Sequence, residues 1–235
     1  EAGAGYGNLI NVTAYKDLSI CVEDFGRGVP LGYNEAEGRY NWELVYCELY
    51  AGGKYNVGGE DSSYEFSLGL NGLGAASTQY ASEYMQVRSY RDGEMYEMNF
   101  KKGCPVGELT ATPLTKKDKK TGTTVCWKPD SEVFTDINVG KEYYTTMLDR
   151  QAMVNPGVKF VFRWENEDGT FEEHEYYYEN GIADYILQEN GQITFPDGEI
   201  LDINQYGYSY IIPDQSTDTK LTAAYYYRLD NPEST

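Results

Sequence analysis

The sequence predicts an α+β layer structure, a mostly antiparallel sheet covered on one face by helices. Three observations carry that expectation. Short stretches alternate apolar with polar residues, Asp92-Gly93 lies between two of them as a two-residue hairpin turn, and other stretches repeat apolar residues at helical spacing.

In chain order, residues 9 to 15 (LINVTAY) and 18 to 23 (LSICVE) alternate around Lys16-Asp17 and read as a hairpin that delivers Asp24 to its end. Residues 41 to 51 place Trp42, Val45, Tyr46 and Leu49 on one helical face, with Asn41 as N-cap and Gly52-Gly53 as the stop. A glycine-rich stretch from 52 to 74 then feeds a helix over residues 75 to 85. QVRSYR and EMYEMNF pair over Asp92-Gly93, and TGTTVCW returns as a strand after a lysine-rich loop. Residues 139 to 153 show helical spacing of Val139, Tyr143, Met147 and Ala152 and stop at Asn155-Pro156-Gly157. VKFVFRW and FEEHEYYY pair across the NEDG turn, and a short helix near 180 to 187 closes this domain. From about Gly191 the pattern becomes short strands punctuated by Gly and Pro (QITFPDGEI, YGYSYII, LTAAYYYRL). The expected division is therefore residues 1 to 187 and, as a truncated second domain, residues 188 to 235.

With 40% hydrophobic and 24% charged residues over 235 positions, the chain is apolar enough to fold. No run approaches the roughly 18 apolar residues of a membrane-spanning helix, so no membrane is expected as a partner. The chain opens without Met and without a leader, so residue 1 is expected to lie inside a longer protein. Cys21, Cys47, Cys104 and Cys126 form no CxxC pair and read as reduced, buried thiols of a cytoplasmic protein rather than as disulfides or a zinc site. A net charge of −19 would repel a phosphate backbone, the short run Lys116, Lys117, Lys119, Lys120 notwithstanding. His174 sits in an alternating strand as a surface residue, and no nucleophilic triad can be assembled.

Three glycine-rich segments could face a nucleotide: residues 23 to 32 (EDFGRGVPLG), 51 to 55 (AGGKY) and 64 to 77 (YEFSLGLNGLGAAS). In the last, Gly69, Gly72 and Gly74 open a helix, where backbone N–H groups and the positive helix end suit a polyphosphate. Taken singly, each is also explained by turn chemistry. Neither a Walker A loop nor a Rossmann fingerprint fits.

Together and in this order the segments resemble the ATPase domain of bacterial type II DNA topoisomerases, the kind found in the B subunits of DNA gyrase and topoisomerase IV. The D-x-G-R-G-I/V-P segment is matched by Asp24, Phe25, Gly26, Arg27, Gly28, Val29 and Pro30, and the AGGK[FY] helix end by Ala51, Gly52, Gly53, Lys54 and Tyr55. The Y-x-x-S-x-G-L-H-G-V-G lid is matched by residues 64 to 74, the TGT strand by Thr121, Gly122 and Thr123, and the NPG segment by residues 155 to 157. The match covers roughly residues 1 to 187. It implies the GHKL (Bergerat-type) ATPase fold lacking its first helices, followed by the start of a transducer domain.

The resemblance implies that Asp24 accepts a hydrogen bond from the adenine amine, helped by Thr123 and a water. Arg27 lines the mouth of the adenine pocket, with Pro30 beneath and Gly28 allowing the close turn. Lys54 and the backbone of Leu70, Asn71, Gly72, Leu73, Gly74 and Ala75 hold the phosphates, Gly69 leaves room for them, and Tyr64 lies near the lid hinge. Glu1 is the last acid of the upstream motif, which supports the site from behind or contacts the lid and is not the general base. Asn71 stands where bacterial members carry histidine, as in the eukaryotic R-N-G-Y-G loop, and Phe25 stands where relatives carry a polar residue. Arg91 resembles a second rim arginine or is a solvated hairpin charge. The catalytic base and the magnesium-binding asparagine are expected before Glu1, so no catalytic or metal residue is assigned within the chain, and Mg²⁺ would come with the nucleotide.

The function so implied is the ATP-binding and ATPase region of an isomerase, the B subunit of a type II topoisomerase that supercoils or decatenates DNA. Its partners would be ATP, DNA through other domains, an A-type subunit, and a second copy on ATP binding. The alternatives are another GHKL ATPase such as a MutL-like protein, or a degenerate nucleotide-binding or interaction module without hydrolysis.

Overall fold

The structure, a computed structural model, describes residues 5–51, 72–115, 118, 120–182, 184, 185, 192–194 and 200–202. The chain divides into two compact units, Glu1–Leu148 with Lys159–Tyr176, and Asp149–Val158 with Tyr177–Thr235.

The first unit begins with the expected hairpin, β1 (Leu9–Ala14) and β2 (Ile20–Asp24). Asp17 builds its turn by accepting hydrogen bonds from the Ser19 amide and hydroxyl at 3.0 and 2.5 Å. A two-residue ladder of β3 (Tyr33–Asn34) and β4 (Arg39–Tyr40) leads into α1 (Asn41–Tyr46), followed by α2 (Leu73–Tyr80). Then come β5 (Ser82–Arg91), β6 (Glu94–Lys101), β7 (Cys104–Pro113) and β8 (Gly122–Pro129). α3 (Lys141–Val154), of which the residues up to Leu148 belong to this unit, β9 (Lys159–Glu165) and β10 (Phe171–Tyr176) complete the run. Eight strands form one sheet in the order β10-β9-β1-β2-β8-β5-β6-β7, antiparallel throughout except where β1 meets β9.

Paired residues share a face of a sheet, so the register separates two surfaces. Phe160, Phe162 and Trp164 of β9 pair with Ile10, Val12 and Ala14 of β1, and Val12 pairs with Val22 of β2. Val22 meets Val125 of β8, Val125 meets Val87 of β5, and Val87 meets Met98 of β6. This apolar face is the one the helices cover. Val45 and Tyr46 of α1 and Ala75 of α2 pack with Met85, Val87, Met98 and Phe100. Tyr144 of α3 stacks on Phe162 with ring centres 5.5 Å apart. Each large side chain fully buried here contributes about 1.5–3 kcal/mol. The opposite face is polar: Arg88 pairs with Glu97 at 2.6 Å, Arg163 with Glu173 at 2.7 Å, and Lys120 with Glu23 at 2.7 Å. The expected layer architecture is the observed one.

Local expectations need correction. Tyr40, not Asn41, is the N-cap of α1; the Asn41 carboxamide instead accepts from Asn34 Nδ2 at 2.9 Å, and Glu43 reaches back to the Tyr40 amide at 3.3 Å. α1 stops at Tyr46 rather than running to residue 51, because the Cys47 carbonyl is taken by the Tyr80 hydroxyl at 3.0 Å and Tyr50 turns to φ +64°. α2 starts two residues early and ends at Tyr80, since Ser82 already pairs with Pro129. On α3 it is Tyr144, Leu148 and Ala152 that are buried, while Tyr143 is 66% exposed. β7 occupies a stretch in which the sequence shows only loop. It is an exposed edge strand carrying Pro105, Gly107 and Pro113 and an irregular register against β6, so it lacks apolar alternation.

The expectation of four reduced thiols fails for two of them. Cys21 and Cys126 stand directly opposite on β2 and β8 with Cα atoms 4.0 Å apart and are disulfide-bonded, while Cys47 and Cys104 are free. Burial pushes the Cys47 thiol up from its ordinary range, with Glu43 adding to the effect.

The second unit holds the Asn155-Pro156-Gly157 turn, whose Gly157 amide donates to the Tyr178 carbonyl at 2.9 Å. The Tyr178 hydroxyl donates to Asp149 at 2.8 Å, and the Tyr185 amide closes a helical turn on the Gly181 carbonyl at 3.3 Å. β11 (Gln192–Thr194) and β12 (Ile200–Asp202) form an antiparallel hairpin. The expected strands over 206 to 212 and 221 to 229 lie outside the described residues. Among the described residues no helix is long and apolar enough to cross a membrane.

The Cys21–Cys126 bond can be checked in two ways. The denatured, unreduced chain titrates two thiols with a chromogenic disulfide reagent; four would refute the bond. Because it spans 105 residues, its reduction lowers unfolding stability by about 5 kcal/mol in a chemical denaturation series, as loop-closure entropy requires.

Candidate functional site

β2 ends on Asp24, whose carboxylate accepts the Gly26 amide at 2.8 Å and so starts the loop over residues 24 to 30. The β2–β8 register runs Ile20↔Trp127 to Glu23↔Thr124, and one further step sets Asp24 opposite Thr123. Thr123 pairs in turn with Ser89, and Asp24 with Ile10. Ile10, Asp24, Thr123 and Ser89 thus form one row across four strands, on the helix-covered face.

Three glycines let the surrounding backbone close on this row. Gly122 holds φ +123°, and a Cβ on it would lie 2.8 Å from the Asp24 carbonyl carbon and from Phe25 Cα. Gly28 holds φ +81°, and a Cβ there would lie 2.6 Å from the Tyr90 carbonyl oxygen and 2.8 Å from Ser89 Oγ. Gly7 presses on the other side, its missing Cβ 2.6 Å from the Gly26 amide.

Side chains then fasten the loop. The Val29 amide donates to Thr123 Oγ1 at 3.0 Å, and the Val29 carbonyl accepts from Ser89 Oγ at 2.7 Å. Arg91 Nη1 donates to the Gly28 carbonyl at 2.9 Å. The Arg27 guanidinium lies 4.3 Å from the centre of the Tyr6 ring, within cation–π range. Ser89 is fully buried and Thr123 is 9% exposed, so the two bonds to Val29 are partly shielded from water.

On the opposite face, burial raises the Glu23 carboxyl, but hydrogen bonds from Lys120 and Asn11 outweigh it and hold Glu23 below the ordinary glutamate range. Lys120, also 4.1 Å over the Tyr90 ring, is held above the ordinary lysine range by Glu23 against the opposing effect of burial.

Of the residues singled out in the sequence, Asp24, Arg27, Gly28, Pro30 and Thr123 come together on or beside this row. Gly72, with φ +59°, caps α2, and Leu73, Gly74 and Ala75 form its first turn. Ala75 packs against the core cluster that contains Met85 and Val87, so the first turn of α2 lies on the helix-covered face of the sheet. Glu1, Lys54, Tyr64, Gly69, Leu70 and Asn71 lie outside the described residues, as do Lys116, Lys117 and Lys119. Arg91, open in the sequence between rim residue and solvated charge, touches the loop. Ser89 and Tyr6 are site residues that the sequence reading does not reach. A signal for Ser89 exists, since a small polar residue follows Met85 and Val87 on the apolar side of an alternating strand.

Chemically, the row sets a carboxylate acceptor beside a hydroxyl whose oxygen already accepts from Val29. The hydroxyl hydrogen is left to donate elsewhere, so the pair suits a flat heterocycle that offers a donor and an acceptor on one edge.

No protein-family model matches the chain. It is 39% identical over 191 residues to the B subunit of DNA topoisomerase 4 from Enterococcus faecalis, covering 81% of this chain and 27% of that protein. It is 34% identical over 221 residues to the B subunit of DNA gyrase from the same organism, covering 93% of this chain and 33% of that one. The chain therefore spans about a third or less of the length of these relatives. Among solved structures, the 43K ATPase domain of Thermus thermophilus gyrase B in complex with an aminocoumarin superposes with a TM-score of 0.65 at 26% identity, covering 83% of this chain and 47% of that one. With that likeness in fold and those identities over most of its length, the chain belongs to the family of DNA gyrase and DNA topoisomerase 4 B subunits, in the region that contains the ATPase domain.

Proposed function

We propose that the chain binds ATP at the Asp24–Thr123 row and, as part of a type II topoisomerase, couples the binding and hydrolysis of ATP to DNA strand passage. The observation that carries this reading is the row itself, an acceptor and a donor side by side at the ends of β2 and β8. Adenine presents an amino donor next to a ring-nitrogen acceptor, which complements that pair.

In this reading Asp24 accepts from the adenine amine and Thr123 donates, directly or through water. Gly28 lets the loop lie close against β5 and β8, where a Cβ would meet the Tyr90 carbonyl and Ser89 Oγ, and Arg27 on Tyr6 stands at the mouth above Pro30. The first turn of α2, with Lys54, Gly69, Leu70 and Asn71 before it, faces the phosphates, while Tyr64 lies near the lid hinge and Glu1 supports the site from behind or contacts the lid. Magnesium would arrive with the phosphates and neutralise their charge. Residues from 188 onward begin the transducer domain. The whole protein would be a cytoplasmic homodimer when ATP is bound, acting with an A-type subunit on DNA held by other domains.

Calorimetry with a non-hydrolysable ATP analogue tests the reading. A hydrogen bond to a charged group is worth about 1.5–3 kcal/mol, so Asp24→Ala weakens binding by about 10- to 100-fold while leaving the fold intact by circular dichroism. Equal affinity in both proteins would contradict it. Gly122→Ala tests the same site through the backbone: the added Cβ meets the Asp24 carbonyl group, and the variant loses at least about 2 kcal/mol of unfolding stability. A Gly122→Ala protein as stable as the parent would show that β2 and β8 do not approach so closely.

A further inference from the structure

We infer that Ser89 is a positioning residue that sets which base the site prefers, by fixing the direction in which the Thr123 hydroxyl donates. The inference rests on the nucleotide reading above and adds to it a group from β5.

Ser89 and Thr123 are direct cross-strand partners, and between them they hold both polar groups of Val29. Ser89 Oγ donates to the Val29 carbonyl at 2.7 Å and Thr123 Oγ1 accepts the Val29 amide at 3.0 Å. Both bonds are part-buried, with Ser89 fully buried and Thr123 nearly so. Gly28 leaves room for the arrangement, since a Cβ there would come within 2.8 Å of Ser89 Oγ.

A hydroxyl is one donor and two acceptor sites on a freely turning O–H bond. With nothing at Val29, Thr123 could turn to donate to a ligand or to accept from it with equal ease. Once the Val29 amide takes one of the two lone pairs, the hydrogen is turned away from Val29 and only one acceptor site remains, so the balance shifts toward donation to the ligand. Adenine has an acceptor at ring position N1, where guanine has an N–H donor. A Thr123 biased toward donating therefore favours adenine over guanine. Without the Ser89 hydroxyl, the half-buried Val29 carbonyl loses its side-chain partner, the peptide turns to find another, and the Val29 amide leaves Thr123.

The test is a double-mutant cycle on the full chain, read by calorimetry with the imidodiphosphate analogues of ATP and GTP. Ser89→Ala is expected to weaken the ATP analogue by about 3- to 10-fold and to narrow the preference for ATP over GTP by a similar factor. In a Thr123→Val background, where there is no hydroxyl to direct, Ser89→Ala is expected to change neither value. Ser89→Cys keeps the volume and a weak donor, and is expected to fall between parent and alanine variant, which covers the case in which Ser89→Ala does not fold. The inference is overturned if Ser89→Ala or Ser89→Cys weakens both analogues equally, or if the cost is the same with and without the Thr123 hydroxyl. If the parent binds neither analogue, or Asp24→Ala binds as well as the parent, the nucleotide reading itself fails and this inference with it.

Discussion

The site depends on how closely β8 approaches the end of β2. At Gly122 the two chains come so near that no side chain fits between them, and the backbone takes a left-handed conformation that glycine alone adopts without strain. That approach carries Thr123 to the flank of Asp24, and everything else at the row follows from it. Thr123 meets the Val29 amide, Ser89 meets the Val29 carbonyl, and Arg91 meets the Gly28 carbonyl, so the loop after β2 is held by side chains from two neighbouring strands.

The same seam is tied at three levels. On the helix-covered face Val22 packs beside Val125; on the polar face the Cys21–Cys126 disulfide joins the strands; and Lys120 binds Glu23 one residue before the site acid. A central pair of strands is thus fixed before the loop that leaves it is asked to hold a ligand. A scaffold of this kind limits the entropy lost on binding, because the acceptor and donor are already in place.

Much of this is legible in the sequence, for identifiable reasons. The hairpins at Lys16-Asp17 and Asp92-Gly93 carry their own turn chemistry, and the alternation in residues 9 to 15 reflects burial on one face. Asp24, Gly28 and Thr123 stand out through their motifs. What the sequence hides depends on pairing between distant segments. Cys21 and Cys126 are 105 residues apart and show no local pattern, and nothing near Ser89 announces that its partner is the backbone at Val29. β7 is hidden because an exposed edge strand blunted by Pro105, Gly107 and Pro113 has no apolar side to display. The helix ends differ for tertiary reasons too: Tyr80 caps the Cys47 carbonyl, and Tyr144 rather than Tyr143 finds the ring of Phe162.

The central claim is that Asp24, Thr123 and the Val29 peptide belong to one adenine-recognising surface. The most direct measurement is a backbone amide NMR titration of the chain with ADP. The account predicts that the amides of Gly26, Val29 and Thr123 shift together along one saturating curve, while amides of the β9–β10 hairpin stay in place. Saturable shifts that leave those three amides unmoved would contradict it.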